Sequence, residues 1–286
     1  KITPKGIMFA FGDFDETSSL PVHLFTEAPP FREAVLSCDR VFKKISGKGC
    51  LETLLTRNPG DPEVAPKSWR QPLRVALQYA VARVLMAWGI QPNMFIGSRW
   101  GQIAAACAAE GLDLENGLQL AATLSESEFE PTPQRPLPKG AASYDEIFEK
   151  IPFKLPKFNL YSLDVDSCPG HLFRFFKAFN KRAGAVDAAG LINDIKAGSW
   201  MMLEIGGNLP TISFPIAPAS EFCLDSKSLL SENLNPDKAV PSLLADLYKA
   251  GADINWASVY RYREGKRIPL PTYPFQGKRF WNRSGP

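Results

Sequence analysis

The chain has 286 residues, 45% of them hydrophobic and 22% charged, with a net charge of +3 at pH 7. A charge so near balance gives no electrostatic case for nucleic acid or an anionic membrane surface as partner. No apolar run reaches the roughly 20 residues that a transmembrane helix needs.

Five cysteines, Cys38, Cys50, Cys107, Cys168 and Cys223, are an odd number without a C-x-x-C pair. They read as reduced, mostly buried small residues of a cytoplasmic protein, not as a disulfide framework or a zinc site. Lys1 is not a start methionine and no signal-peptide pattern follows it, so the chain reads as a segment of a longer one.

Residues 6–11 read as a short buried strand ending at Gly12. A helix follows, with apolar spacing over residues 33–42, and then a Pro- and Gly-rich loop over 58–68. Leu73 to Trp88 predicts a helix with Leu73, Leu77, Ala80, Val81, Val84, Leu85 and Trp88 on one face, and Gly89 as its cap. A strand at 93–96 hands over to the small-residue helix that begins near Ile103. Such alternation argues for a parallel sheet with helices on its faces.

A helix from Leu114 to about Leu124 precedes a Ser-, Glu- and Pro-rich stretch, 125–143, in which Pro131, Pro133, Pro136 and Pro138 forbid regular helix. A short helix at 144–151, a strand at 159–162, helical signal at 171–182 and 186–196, and a strand at 200–205 stopped by Gly206-Gly207 come next. One amphipathic helix (about 239–250) and an extended tail complete the reading. The basic cluster Arg261, Arg263, Lys266, Arg267 fits a solvated linker better than a phosphate-binding patch. Trp69, Trp88, Trp200 and Trp256 read as core or inter-segment packing, and no internal repeat is found.

Gly97-Ser98-Arg99-Trp100-Gly101 lies where the 93–96 strand should turn into a helix. That context, with glycines flanking a sharp turn, is the setting of a nucleophile elbow G-x-S-x-G. The tip residue is Arg99, whose guanidinium stays protonated and cannot attack a carbonyl.

Several blocks in this order resemble the acyltransferase domain of modular type I polyketide synthases: Phe9-Ala10-Phe11-Gly12-Asp13-Phe14, residues 27–34, residues 78–101, residues 111–118 and Leu203-Glu204-Ile205-Gly206-Gly207. The most specific is the tail. Ala252-Asp253-Ile254-Asn255-Trp256 with Pro269-Leu270-Pro271-Thr272-Tyr273-Pro274-Phe275-Gln276-Gly277-Lys278-Arg279-Phe280-Trp281 resembles the linker that follows such domains. The resemblance implies an α/β fold: an α/β-hydrolase-like parallel sheet with flanking helices, spanning residues 1–240, then an extended C-terminal linker over 241–286. Active members transfer malonyl or alkylmalonyl units from coenzyme A to a carrier-protein phosphopantetheine arm. They use an elbow serine, a histidine base, an oxyanion-hole glutamine near the first strand and an arginine for the substrate carboxylate.

Measured against that set, every position departs. Ser98, one residue before the tip, fits a turn serine better than a displaced nucleophile. The base region falls within Phe129–Gln134, where Glu130 is the sole ionisable candidate and has no reason to be tuned for the task. His23 and His171, the only histidines, lie elsewhere and read as surface or satisfied structural residues. The clamp position counts to about Leu124, which offers no bidentate donor. Asp13 or Phe14 occupies the oxyanion region, although the Trp100 N–H could still serve as one donor. Only a handful of residues separate the Leu114–Leu124 helix from Phe129–Gln134, too few for the ferredoxin-like small subdomain that the resemblance implies there, so that subdomain is expected to be deleted and the cleft open.

The reading is a degenerate, truncated pseudo-acyltransferase with a scaffolding role and no cofactor. Its expected partners are a ketosynthase, met through Tyr273, Pro274, Phe275, Gln276, Arg279, Phe280 and Trp281, and an acyl carrier protein or a trans-acting acyltransferase. Two alternatives stand beside it: a docking platform for those partners, and an enzyme of altered chemistry using Ser98 or a cysteine, although Cys107 falls deep in an apolar helix with no histidine partner in sight. Arg99 could hold an anion such as a phosphopantetheine phosphate at the helix N-terminus, or be a drifted residue paired with a carboxylate.

Overall fold

The computed structural model describes residues 6–12, 22–51, 54, 69–126, 144–162, 179, 181, 200–205, 223–225, 236–261 and 269. Five parallel strands form one sheet: β1 (Gly6–Phe11), β2 (Met94–Gly97), β3 (Asn159–Ser162), β4 (Trp200–Ile205) and β5 (Cys223–Asp225), in the order β3-β2-β1-β4-β5. The first four match the strands read from the sequence. Register places Phe11 beside both Gly97 and Ile205, so the carboxyl ends of the three central strands are level.

The helices are α1 (Val22–Glu27), α2 (Pro29–Ser46), α3 (Arg70–Ala87), α4 (Gly101–Ala108), α5 (Leu114–Glu126), α6 (Tyr144–Lys150), α7 (Pro236–Ala250) and α8 (Trp256–Tyr260). Alternate side chains divide the core. Phe9, Phe11, Phe95, Leu160, Met201, Leu203 and Ile205 join the helices in one large cluster. Met8, Ala10, Met94, Ile96 and Tyr161 pack together on the sheet's other face. Such period-two division follows from the pleat.

The expectation of one apolar face on α3 needs correction. Gln71, Pro72, Val75, Ala76, Gln78 and Ala82 are buried as well as the predicted stripe, because α3 packs against α2, α4 and α5 together. Gly89, at φ 93°, ends it as expected: its N–H donates to the Met86 carbonyl and Ile90 N–H to the Leu85 carbonyl, a Schellman closure. The helix read from residue 33 starts earlier, since Pro29 and Pro30 occupy first-turn positions that need no N–H partner.

Trp88 is core, Trp69 packs on Phe42, and Trp256 packs between segments, against Tyr248 of α7. It is 39% exposed and stacks on Tyr260, with Tyr248 edge-on. The division expected at residues 240/241 lies inside the continuous helix α7, which buries Val240, Leu243, Leu244 and Leu247. The helical signals at 171–182 and 186–196, apart from Phe179 and Lys181, and the Gly206-Gly207 stop lie outside the described residues.

Candidate functional site

The segment 97–101 leaves the carboxyl end of β2 and enters α4 within three residues. Ser98 N–H donates to the Phe11 carbonyl at 2.9 Å, which ties the turn to the end of β1. The Ser98 carbonyl accepts from Gly101 N–H at 2.8 Å, and the Arg99 and Trp100 carbonyls accept from Gln102 and Ile103. Arg99 has φ 48°, a left-handed conformation that a side chain with a Cβ enters at a cost.

Both glycines are required by close approach. A Cβ on Gly97 would lie 2.5 Å from the Gln102 Cα, and one on Gly101 would lie 2.2 Å from the Phe11 carbonyl oxygen. Strand and helix therefore meet backbone to backbone, and the tip is thrust outward: Arg99 is exposed while Ser98 is fully buried. The turn between strand and helix is as sharp as the spacing predicted, and Arg99 stands at its tip.

Leu124 is fully buried in the main core, and Trp100, 9% exposed, packs there too. His23 departs from the expectation of a surface or satisfied residue. It is half-buried on α1, its Nε2 atom is buried with no hydrogen-bond partner among the described residues, and burial lowers its pKa against the opposing pull of Glu27. Cys107 is buried in α4, and desolvation raises its thiol pKa well above the ordinary value, so it holds no thiolate at neutral pH. Asp13, Phe14, Glu130, His171 and the tail positions Tyr273, Pro274, Phe275, Gln276, Arg279, Phe280 and Trp281 lie outside the described residues.

Two glutamines were not anticipated. Gln78 Nε2 donates to the Gly12 carbonyl at 2.6 Å and to the Ile205 carbonyl at 3.2 Å, bridging the carboxyl ends of β1 and β4 from α3. Gln102, 1% exposed, has neither amide atom partnered among the described residues. An amide inside an otherwise apolar helical run was the available signal at both positions. No group of three or more potential metal ligands occurs among the described residues.

No sequence-family model matches the chain. A 111-residue stretch is 32% identical to the reducing polyketide synthase DEP5 of Fusarium langsethiae, covering 38% of this chain and 5% of that protein. The erythronolide synthase EryA3 of Saccharopolyspora erythraea is 34% identical over 94 residues, 33% of this chain and 3% of its own length. The spectinabilin polyketide synthase system protein NorC of Streptomyces orinoci is 26% identical over 272 residues, 90% of this chain and 11% of that protein. The chain thus spans a small fraction of each relative.

Among solved structures, the acyl transferase domain of ZmaA superposes with a TM-score of 0.67 at 18% identity, over 95% of this chain and 80% of that one. The acyltransferase domain from the second module of the salinomycin polyketide synthase gives 0.65 at 17%, over 94% and 79%. The chain has the fold of polyketide synthase acyltransferase domains. In this fold the turn at 97–101 occupies the position that open α/β sheets reserve for ligands, the carboxyl edge of the central strands, and the residue presented there is Arg99.

Proposed function

We propose that this acyltransferase-like domain is catalytically silent and serves as a structural element of a polyketide synthase. The observation that carries the reading is Arg99 at the exposed tip of an intact elbow. Acyl transfer through a covalent intermediate needs a hydroxyl or thiol that a base can deprotonate, and a guanidinium supplies neither the lone pair nor the proton loss. The neighbouring hydroxyl gives no substitute, since Ser98 is fully buried beneath the tip. Cys107 is buried with a raised pKa, which argues against altered chemistry through that thiol.

On this reading the parent chain is a polyketide synthase. The domain holds an adjacent ketosynthase at a set spacing through its body and its 273–281 tail, and extender units come from an acyltransferase acting in trans or are not needed. The expected deletion of the small subdomain, between the Leu114–Leu124 helix and Phe129–Gln134, belongs to the same proposal; residues 127–143 lie outside the described ones.

Intact-protein mass spectrometry after incubation with malonyl-, methylmalonyl- and acetyl-coenzyme A, beside an active acyltransferase domain, tests the proposal. It predicts no covalent adduct. An acyl adduct that survives gel filtration overturns it and directs peptide mapping to Ser98 and the cysteines.

A further inference from the structure

A cavity of about 120 Å³ opens between α1, α7, α8 and the end of α3, built from none of the elbow residues. Its floor is apolar and buried: Leu24, Ala28, Trp88, Val240 and Leu244. Its rim is aromatic. Trp256 and Tyr260 of α8, 39% and 53% exposed, stack with ring centroids 6.1 Å apart and planes at 18°. Tyr248 of α7 meets Trp256 edge-on at 6.0 Å. Glu27, exposed at the end of α1, is the one Asp, Glu, Lys or Arg of the lining among the described residues. His23, one turn earlier on the same helix, has its pKa lowered by burial, so it adds no positive charge at pH 7. The lining thus combines aromatic rings and apolar walls with a single negative charge.

We propose that this cavity binds a small quaternary ammonium compound of the choline class, with its trimethylammonium head against Trp88, Trp256 and Tyr260 and the Glu27 carboxylate as counter-charge. Aromatic rings beside a carboxylate favour a cation over an anion, since ring faces carry negative potential. The apolar floor then selects among cations. A primary ammonium or a guanidinium carries N–H donors that Leu24, Ala28, Val240 and Leu244 cannot accept, so burying it costs unpaired hydrogen bonds. A quaternary nitrogen has no N–H. Its methyl groups give the floor apolar surface, while its charge acts through them on the rings and on Glu27. That attraction works at a distance and needs no hydrogen bond from the carboxylate. Size agrees: apolar cavities of about 150 Å³ take up benzene, and a trimethylammonium head has fewer heavy atoms than benzene.

The test titrates choline and its uncharged isostere, 3,3-dimethylbutan-1-ol, into the ¹⁵N-labelled chain while the Trp256 indole N–H signal is followed. The expected result is a saturable shift with choline, at an affinity about tenfold above that for the isostere. Glu27→Gln should weaken choline about threefold or more and leave the isostere unchanged. Tyr260→Leu, at an exposed position, should weaken choline about fivefold while leaving the melting temperature within a few degrees of the parent. Phosphocholine, the lipid-headgroup form, should bind more weakly than choline because Glu27 repels its phosphate. Absence of a saturable shift overturns the proposal. So does equal affinity of choline and the isostere, or a choline preference that either variant leaves undiminished. Phosphocholine binding tighter than choline overturns it as well, by assigning the cavity to a lipid headgroup.

Discussion

Gly101 and Phe11 touch through bare backbone: a Cβ on Gly101 would sit 2.2 Å from the Phe11 carbonyl oxygen. That oxygen already accepts the Ser98 N–H and is part of the sheet edge, so it cannot move aside cheaply. Gly101→Ala should cost about 3 kcal/mol or more, as overpacking against rigid neighbours does, and lower the melting temperature by at least about 5 °C. Gly47→Ala is the comparison. Gly47 has φ 75° with nothing within 4 Å of a new Cβ, so it should lose only about 1 kcal/mol to the left-handed conformation. Calorimetry showing Gly101→Ala no worse than Gly47→Ala would place the helix farther from the strand than described.

Asp39, 3% exposed, accepts from Leu51 N–H at 2.8 Å and pairs with Lys43 at 2.7 Å, fastening the end of α2 to the chain that follows. Burial alone would raise its pKa. The Lys43 ammonium and the Leu51 and Cys50 amides outweigh that and lower it. A carboxyl with a depressed folded-state pKa adds stability above its unfolded value, about 3.9, and loses it as pH falls through the folded value. Asp39→Asn should therefore cost about 2 kcal/mol at pH 7. The gap to the parent should close as the pH drops below about 4. Parallel denaturation curves across pH 7 to 3 would refute the assignment.

The parallel sheet was legible because β1, β2, β3 and β4 are short apolar runs stopped by glycine or a polar turn, and the elbow glycines mark a contact that admits no other residue. What escaped the pattern has physical causes. α1 buries only Leu24 and α8 buries nothing, so neither leaves an apolar period to read. The all-round burial of α3 cannot be told from a one-sided stripe by spacing alone, because it depends on which helices arrive from elsewhere in the chain. His23 was legible as a histidine away from the elbow, but the burial of its Nε2, without a partner among the described residues, depends on tertiary packing that spacing along the chain does not report.

Thiol reactivity follows from burial. Cys38 is fully buried and its pKa is raised well above the ordinary value; Cys50 is pushed up to about 12, first by desolvation and then by the Asp39 charge; Cys107 is raised further by desolvation. With almost no thiolate at pH 8, all three should resist N-ethylmaleimide in the folded chain and react within minutes in denaturant. Peptide mapping after a brief pulse reads each site separately. Rapid native labelling of Cys107 would revive it as a nucleophile.

The tail variants Phe275→Ala and Trp281→Ala address the scaffolding proposal through binding. Large aromatic side chains dominate interface energetics, and truncating one at the centre of a contact costs about 2 kcal/mol or more. Each variant should weaken association with the adjacent ketosynthase at least about tenfold while leaving the melting temperature of this chain within about 2 °C. Undiminished co-purification of the two pieces by both variants would remove the tail from the interface.

The left-handed turn at Arg99 makes a prediction that separates backbone from side chain. A residue with a Cβ at φ 48° carries about 1 kcal/mol of strain that glycine avoids, and a β-branched residue carries more. Among variants that all lack the guanidinium, Arg99→Gly should melt about 2–4 °C above Arg99→Ser, and Arg99→Val a similar amount below it, since serine bears an unbranched Cβ in the same turn. Equal stability of Gly, Ser and Val at this position would mean that the strained tip is absent. The predicted order would mean that the domain retains the tight elbow while presenting a residue that cannot carry an acyl group. Strain of this kind is costly to hold, so its persistence is explained by the packing of Gly97 and Gly101, which fixes the turn whatever residue occupies its tip.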